Sequence, residues 1–407
     1  MTTANHIPQA RGCVPVWARG SAGASAGAWA CGRAGVRARA SLLAVLLVWV
    51  SAAAGAQPAA AEAATGPDAV AGADRVTVAV AAGGPGQGRI DWRALADRAP
   101  DLVVTLGDLI APPVGGRRAD PVARLAQAYD RLGRARDFRR LVARVPMLAL
   151  WGAREYGAAD LGRALPFRAE AKRLFLDFHA HVPGDTLRAR PGLFYAATLG
   201  PPGRRVQILM LDTQWFRDPW VVGADGRVAA DPGAERRLLG DLQWAWLDRR
   251  LGEPAQLRLL VSTLPVLPRD LAGARWAAMP AERLRLARAV RASGAEAVLL
   301  VSAGPGFGAL YGHDGALAYP LVEMMTGPLR AAPGRDGESG GETAVVVPPP
   351  AGSLRRSTAL TGAQLGLVTV DWLAGRVTLT LAPLGDHDAS SGPVRRTLSL
   401  ADLSAAP

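Results

Sequence analysis

Cysteine is almost missing from this chain. Its 407 residues contain two, Cys13 and Cys31, and both lie ahead of a predicted export cleavage point. A disulfide framework is therefore excluded, and stability has to come from packing. Lysine is scarcer still: Lys172 is alone, and the rest of the 47 Lys+Arg are arginine. The five histidines limit any imidazole-rich centre, and no apolar run reaches the roughly 20 residues of a spanning helix. A charged fraction of 20% excludes a multi-span membrane protein, and a hydrophobic fraction of 49% excludes a disordered chain.

What is present begins with a leader. Arg11, Arg19, Arg33, Arg37 and Arg39 precede the apolar run Ser41-Leu-Leu-Ala-Val-Leu-Leu-Val-Trp-Val50, which ends in Ser51-Ala-Ala-Ala-Gly-Ala56. Positive, apolar and small-residue segments in that order predict a signal peptide over 1–56 and export to the periplasm or beyond the cell. An uncleaved membrane anchor is the alternative, and only then would the chain contact a membrane. Removing the leader's five arginines lowers the net charge from +12 to +7. No aromatic-interleaved basic run accompanies that charge, so a nucleic-acid partner is not expected.

Residues 57–74, rich in Ala, Pro, Gly and Glu, read as a flexible linker. Beyond them, short and nearly continuous apolar runs begin at Val76, Leu102, Pro146, Val206, Leu257 and Ala297. Such runs suit strands covered on both faces. Helical stretches lie between them at 91–98, 121–144, 168–178, 235–251 and 280–293. Later, His313-Asp-Gly315 marks a hairpin turn, 331–358 reads as a long surface loop, and 366–372 with 376–381 form a closing C-terminal β-hairpin. The prediction is an α/β fold, a two-sheet sandwich flanked by helices, in one domain over 75–404.

In open α/β sheets, ligands sit beyond the carboxyl ends of the strands. Those ends carry Gly83-Gly84-Pro85-Gly86, Gly107-Asp108, Trp151-Gly-Ala-Arg-Glu-Tyr-Gly157, Asp212-Thr213 with Arg217, Ser262-Thr263, and Ser302-Ala-Gly-Pro-Gly306. Ser262 or Ser302 as a nucleophile would need an adjacent base, and no histidine falls at a strand end. The glycine run matches no phosphate-loop spacing, and Pro85 lacks an N–H to offer an anion.

Several segments, in order, resemble the PhoD-like alkaline phosphatases of the calcineurin-like metallophosphatase superfamily. They are Pro100-Asp-Leu-Val-Val-Thr-Leu-Gly-Asp108, Arg190-Pro-Gly-Leu-Phe-Tyr195, Leu211-Asp-Thr-Gln-Trp-Phe-Arg217, Gln243-Trp-Ala-Trp-Leu247, Leu260-Val-Ser-Thr-Leu-Pro-Val-Leu-Pro268, Trp276-Ala-Ala-Met-Pro-Ala-Glu282 and Tyr319-Pro-Leu-Val-Glu323. The resemblance implies two sheets with flanking helices and a two-metal cluster between them. Two divalent cations ~3.5–4 Å apart need several hard ligands and a bridging carboxylate, and a metal-bound hydroxide then attacks phosphorus.

Carried over by position, the implied ligand set is largely missing. Ala81-Ala-Gly-Gly84 stands where the family places a cysteine or acid. Asp108 keeps the bridging position, but Leu109 replaces the neighbouring Asn. Gly152, Ala153 and Arg154 stand for acid, acid and His within a retained Trp151, Glu155 and Tyr156 frame. Gly304, Pro305 and Gly306 replace Asp, Arg and His after Ser302. Asp108 is the one unchanged ligand candidate, and Trp151, Arg154, Glu155, Tyr156, Asp212, Arg217 and Ser302 are remnant positions.

One carboxylate cannot hold two cations, so the expectation is a pseudophosphatase with no catalytic residue, no metal and no cofactor. Its partner would be an anionic small molecule or an envelope protein. Arg154 is expected to replace the lost cation's charge by pairing with Asp108 or Glu155. His179 and His181, two apart at a helix end, read as structural, as do His313 and His387, and Trp244, Trp246 and Trp276 read as core. The alternative is a working phosphoesterase with a rearranged or single metal (Ca, Fe, Zn or Mn).

Overall fold

The computed structural model describes residues 73–404 except 85–89, 114–118, 159, 180–183, 234, 331–347, 349, 351, 353 and 385–391. The predicted leader, nearly all of the linker, His181, His387, Pro85, Gly86 and most of the 331–358 loop lie outside the described residues.

Two sheets form the core. The first holds β1 (Arg75–Ala81), β2 (Leu102–Thr105), β3 (Met147–Ala149), β11 (Gln364–Asp371), β12 (Arg376–Pro383) and β13 (Val394–Ser399), in the order β13-β12-β11-β1-β2-β3. The second holds β4 (Tyr195–Leu199), β5 (Val206–Leu211), β6 (Leu257–Ser262), β7 (Val298–Ala303), β8 (Phe307–His313), β9 (Leu321–Thr326) and β10 (Leu360–Thr361), in the order β10-β8-β9-β7-β6-β5-β4. In each sheet a parallel centre (β1-β2-β3 and β5-β6-β7-β9) is extended by antiparallel strands.

The fully buried strands include parallel ones. All six residues of β5, β6 and β9 are buried, as strands covered on both faces require, and their polar members Gln207, Arg258 and Glu323 are met by hydrogen bonds. The sheets meet where β11 crosses β9, with Gly366 against the Met324 side chain. A Cβ at 366 would lie 2.7 Å from Met324 Cε, so a larger residue there would have to push the Met324 side chain aside.

Helices α1 (Trp92–Ala96), α2 (Pro121–Arg134), α3 (Arg136–Val142), α4 (Ala153–Tyr156), α5 (Arg168–Phe178), α6 (Gly184–Ala189), α7 (Gly240–Leu251) and α8 (Pro280–Ala292) connect the strands. The helix expected over 121–144 is two helices. It breaks at Ala135, which is extended, two residues after the poor helix former Gly133. The break brings Phe138 against Trp92 and Phe178, with ring centroids 4.9 and 5.8 Å away. The helix expected from 235 starts at Gly240, because Glu282 takes the N–H groups of Leu238 and Leu239 at 2.9 and 3.0 Å and holds them in a loop.

Candidate functional site

Three strand ends converge through their main chains. Gly83 N–H donates to the Gly107 carbonyl at 2.8 Å after β1 and β2. A Cβ on Gly83 would strike the Asp108 carbonyl, and one on Gly107 would strike Gly152. The close packing leaves Gly107 and Asp108 in left-handed conformation, at φ 79° and 58°. Asp108 is tolerated there better than most side chains would be, and the strain marks an over-determined position.

Glu155, on α4, is what fixes that loop. Its Oε2 accepts the N–H of Asp108 at 2.7 Å and of Gly152 at 3.0 Å, and its Oε1 accepts those of Leu109 at 2.6 Å and Ile110 at 3.3 Å. Asp108 is half-buried, and its Oδ1 accepts the backbone N–H of Arg154 at 2.9 Å. Burial raises both carboxyl groups above their ordinary range. Asp108's negative charge adds to the rise at Glu155, while the Arg154 N–H and the Arg154 and Arg330 charges oppose it at Asp108. The two carboxyl groups therefore titrate as a pair, each holding a proton more tightly than it would in water.

The pairing expected of Arg154 is not formed as a direct ion pair. Its contact with Asp108 runs through the main chain, and its guanidinium acts on the carboxylate only as a nearby charge. Arg330, which sequence reasoning did not single out, reaches in instead. After β9 the chain runs beside the end of β1, with bridges at Ala82–Pro328 and Ile90–Arg330. From there, Arg330 Nη2 donates to the carbonyls of Leu109 at 2.5 Å and Asp108 at 3.2 Å. Burial, then the Arg154 charge, brings its pKa down to about 10, against the pull of Glu155 and Asp108. The one available signal was its place four residues beyond a buried strand.

The other remnant positions form separate groups. Trp151 is buried, and its Nε1 donates to Asp212 Oδ1 at 2.8 Å. That carboxylate also accepts N–H groups of Leu193, Gln214 and Trp215, and burial raises its pKa. Tyr156 packs edge-on to Trp151 and donates to the Gly162 carbonyl at 2.8 Å, and burial raises its hydroxyl pKa. Trp215 stacks on Trp151 at 6.2 Å and carries the Arg168 guanidinium 4.8 Å from its ring centre. Arg217, fully buried, holds the Asp218 carbonyl and Gln214 Oε1 and lies over Trp220; burial lowers its pKa to about 10.

Ser302 donates to Glu323, which also accepts the N–H groups of Val266 and Leu267. Trp244 donates to Glu282, Trp276 to Ser262, and both are buried. Each of these polar groups is held by a structural partner.

A divalent pair does not fit the donors around Asp108. One Asp108 oxygen and both Glu155 oxygens already accept N–H bonds, and the positive charges acting on Asp108 are two guanidiniums, which would repel a cation. Among the described residues, no three His, Cys, Asp or Glu side chains converge. Nor is there room for a new ligand at 152, where a Cβ would lie 2.5 Å from Asp108 Oδ1 and 2.7 Å from its backbone nitrogen.

No protein-family model and no curated protein matches the chain. Among solved structures, one titled "Structure of PhoD" superposes with a TM-score of 0.60, covering 81% of this chain and 69% of that one at 15% identity. This chain has the PhoD-like metallophosphatase fold. Identity that low speaks for the fold alone. No helix among the described residues is long and apolar enough to cross a membrane.

Proposed function

We propose that this chain is an exported pseudophosphatase, a PhoD-fold protein that binds where its structural relatives hydrolyse. One observation carries the reading. The carboxylates of Asp108 and Glu155 are taken up by backbone amides, and the charged side chains beside Asp108 are the guanidiniums of Arg154 and Arg330 in place of further acidic or imidazole ligands. No hydrolytic step is assigned to these residues. The two guanidiniums and the positive balance of the chain favour an anionic ligand or an acidic envelope protein as partner.

The test uses mature protein purified after equilibration with Ca, Fe, Zn and Mn. The expected result is substoichiometric metal by mass spectrometry and no turnover of nitrophenyl phosphate or bis(nitrophenyl) phosphate. Stoichiometric metal with turnover abolished by Asp108→Asn would establish the working phosphoesterase instead. For export, the mature N-terminus is expected just after Ala56; a protein retained in the membrane with its leader intact would be the anchored form.

A further inference from the structure

The side chain with the least satisfied chemistry lies away from Asp108. Among the described residues, the Arg355 guanidinium has no hydrogen-bond or ion-pair partner, and its Nε and Nη1 are shielded from solvent. Arg258 also leaves Nε unmet, but its Nη1 is anchored on the Ala255 and Glu296 carbonyls at 3.0 Å. Arg355 has no such anchor. Two shielded N–H donors without an acceptor are costly, and such a pair marks a site for an anion.

Arg355 lines a cavity of about 180 Å³ with Arg269, Asp270, Tyr311 and His313. Two guanidiniums face one carboxylate, and Asp270 forms no ion pair with either, so the cavity keeps a positive excess. A second cavity, of about 300 Å³, shares Arg269 and His313 in its wall. It is mainly apolar, running between α8 and the start of β9 past Val266, Leu284, Leu286, Val290, Leu300 and Leu321. Leu284 is half exposed, at 51%.

The setting is distinct from the Asp108 loop. His313 pairs with Leu321 at the start of β9, whereas the chain reaches the Asp108 loop only beyond the other end of that strand, at Pro328 and Arg330.

We propose that the paired cavities bind one amphiphilic anion, a single alkyl chain ending in a carboxylate or phosphate. The chain lies against α8, and the oxyanion meets Arg355 and Arg269. Charge and apolar surface adjoin in the order such a molecule presents them, and pockets of this size and lining suit small ligands.

Titration of the mature protein with dodecanoate and dodecyl phosphate, below micelle formation, tests the proposal by calorimetry. One molecule is expected to bind per chain, at least tenfold tighter than dodecyl maltoside or inorganic phosphate; whichever head binds tighter identifies the oxyanion. Arg355→Met should weaken binding at least tenfold while raising the melting temperature of the unliganded protein, because it removes the two unmet donors. Ala287→Trp, which fills the apolar cavity, should weaken the alkyl ligands by a similar factor. Arg355→Met keeps the test readable if Ala287→Trp does not fold. Equal affinity for dodecyl maltoside, equal affinity for inorganic phosphate, or binding untouched by Arg355→Met would overturn the proposal. Asp108→Asn should leave this binding unchanged, so the result is independent of the pseudophosphatase reading.

Discussion

Glu155 accepts the backbone N–H of Asp108 at 2.7 Å, so one acidic side chain holds in place the loop that presents the other. The arrangement explains how a half-buried aspartate persists in a left-handed conformation. Four N–H groups converge on one carboxylate, and the loop has little freedom to relax. Its rigidity belongs to the main chain of three strand ends and needs no ion.

Replacing Glu155 with Gln should therefore be severe. The amide keeps one acceptor oxygen but turns the other position into a donor facing N–H groups. Stability is expected to fall by about 2–4 kcal/mol in urea unfolding. A loss under about 0.5 kcal/mol would mean that the four bonds do not hold the loop.

Gly152→Ala tests the closure directly. Gly152 has φ −91°, which alanine adopts freely, so any loss arises from the contact with Asp108. The expected cost is about 1–3 kcal/mol. The double variant with Asp108→Ala should recover only part of it, since the Asp108 backbone nitrogen also crowds the new methyl.

The pH dependence follows from the raised carboxyl pKa values. Folded Asp108 binds its proton more tightly than the unfolded chain, where the ordinary value is 3.8. Its contribution is thus most favourable at low pH and is lost as pH rises from about 4 through the folded pKa. Asp108→Asn, which keeps the acceptor oxygen and cannot ionise, should gain stability relative to the parent as pH goes from 4 to 8. Melting curves across that range check it, and a gap that narrows with rising pH would refute the assignment.

Lys172 offers a probe of opening. It is 6% exposed, its Nζ donates to the Leu187 and Arg190 carbonyls, and it is the only lysine. Burial lowers its pKa to about 8, so an uncharged amine is accessible to chemistry only when α5 moves. Amine-reactive reagents at pH 8 should label the N-terminus quickly and Lys172 only at the rate of local unfolding, as read by peptide mass spectrometry.

The sheet cores were legible because their strands are mostly apolar. Val206–Leu211 and Leu257–Ser262 can hardly lie anywhere but inside. Two edge strands were not: Tyr195–Leu199 and Val394–Ser399 are partly polar and half-exposed, which protects an edge and hides its signal. At the site, Asp108 and Glu155 were named from their strand ends, but local sequence could not show that Arg154 would bond through its backbone. Arg330 was missed because 222 residues separate it from Asp108, and only the fold joins them.

The place of β1 in its sheet carries a last consequence. It lies between β2 and β11, so residues 75–80 are held by residues 366–371, far later in the chain. Until 364–371 leave the ribosome, that sheet lacks its middle seam, and such long-range closure is slow. A chain that stops short of β11 therefore leaves one edge of β1 unpaired, and the sheet can close only when that distant strand arrives.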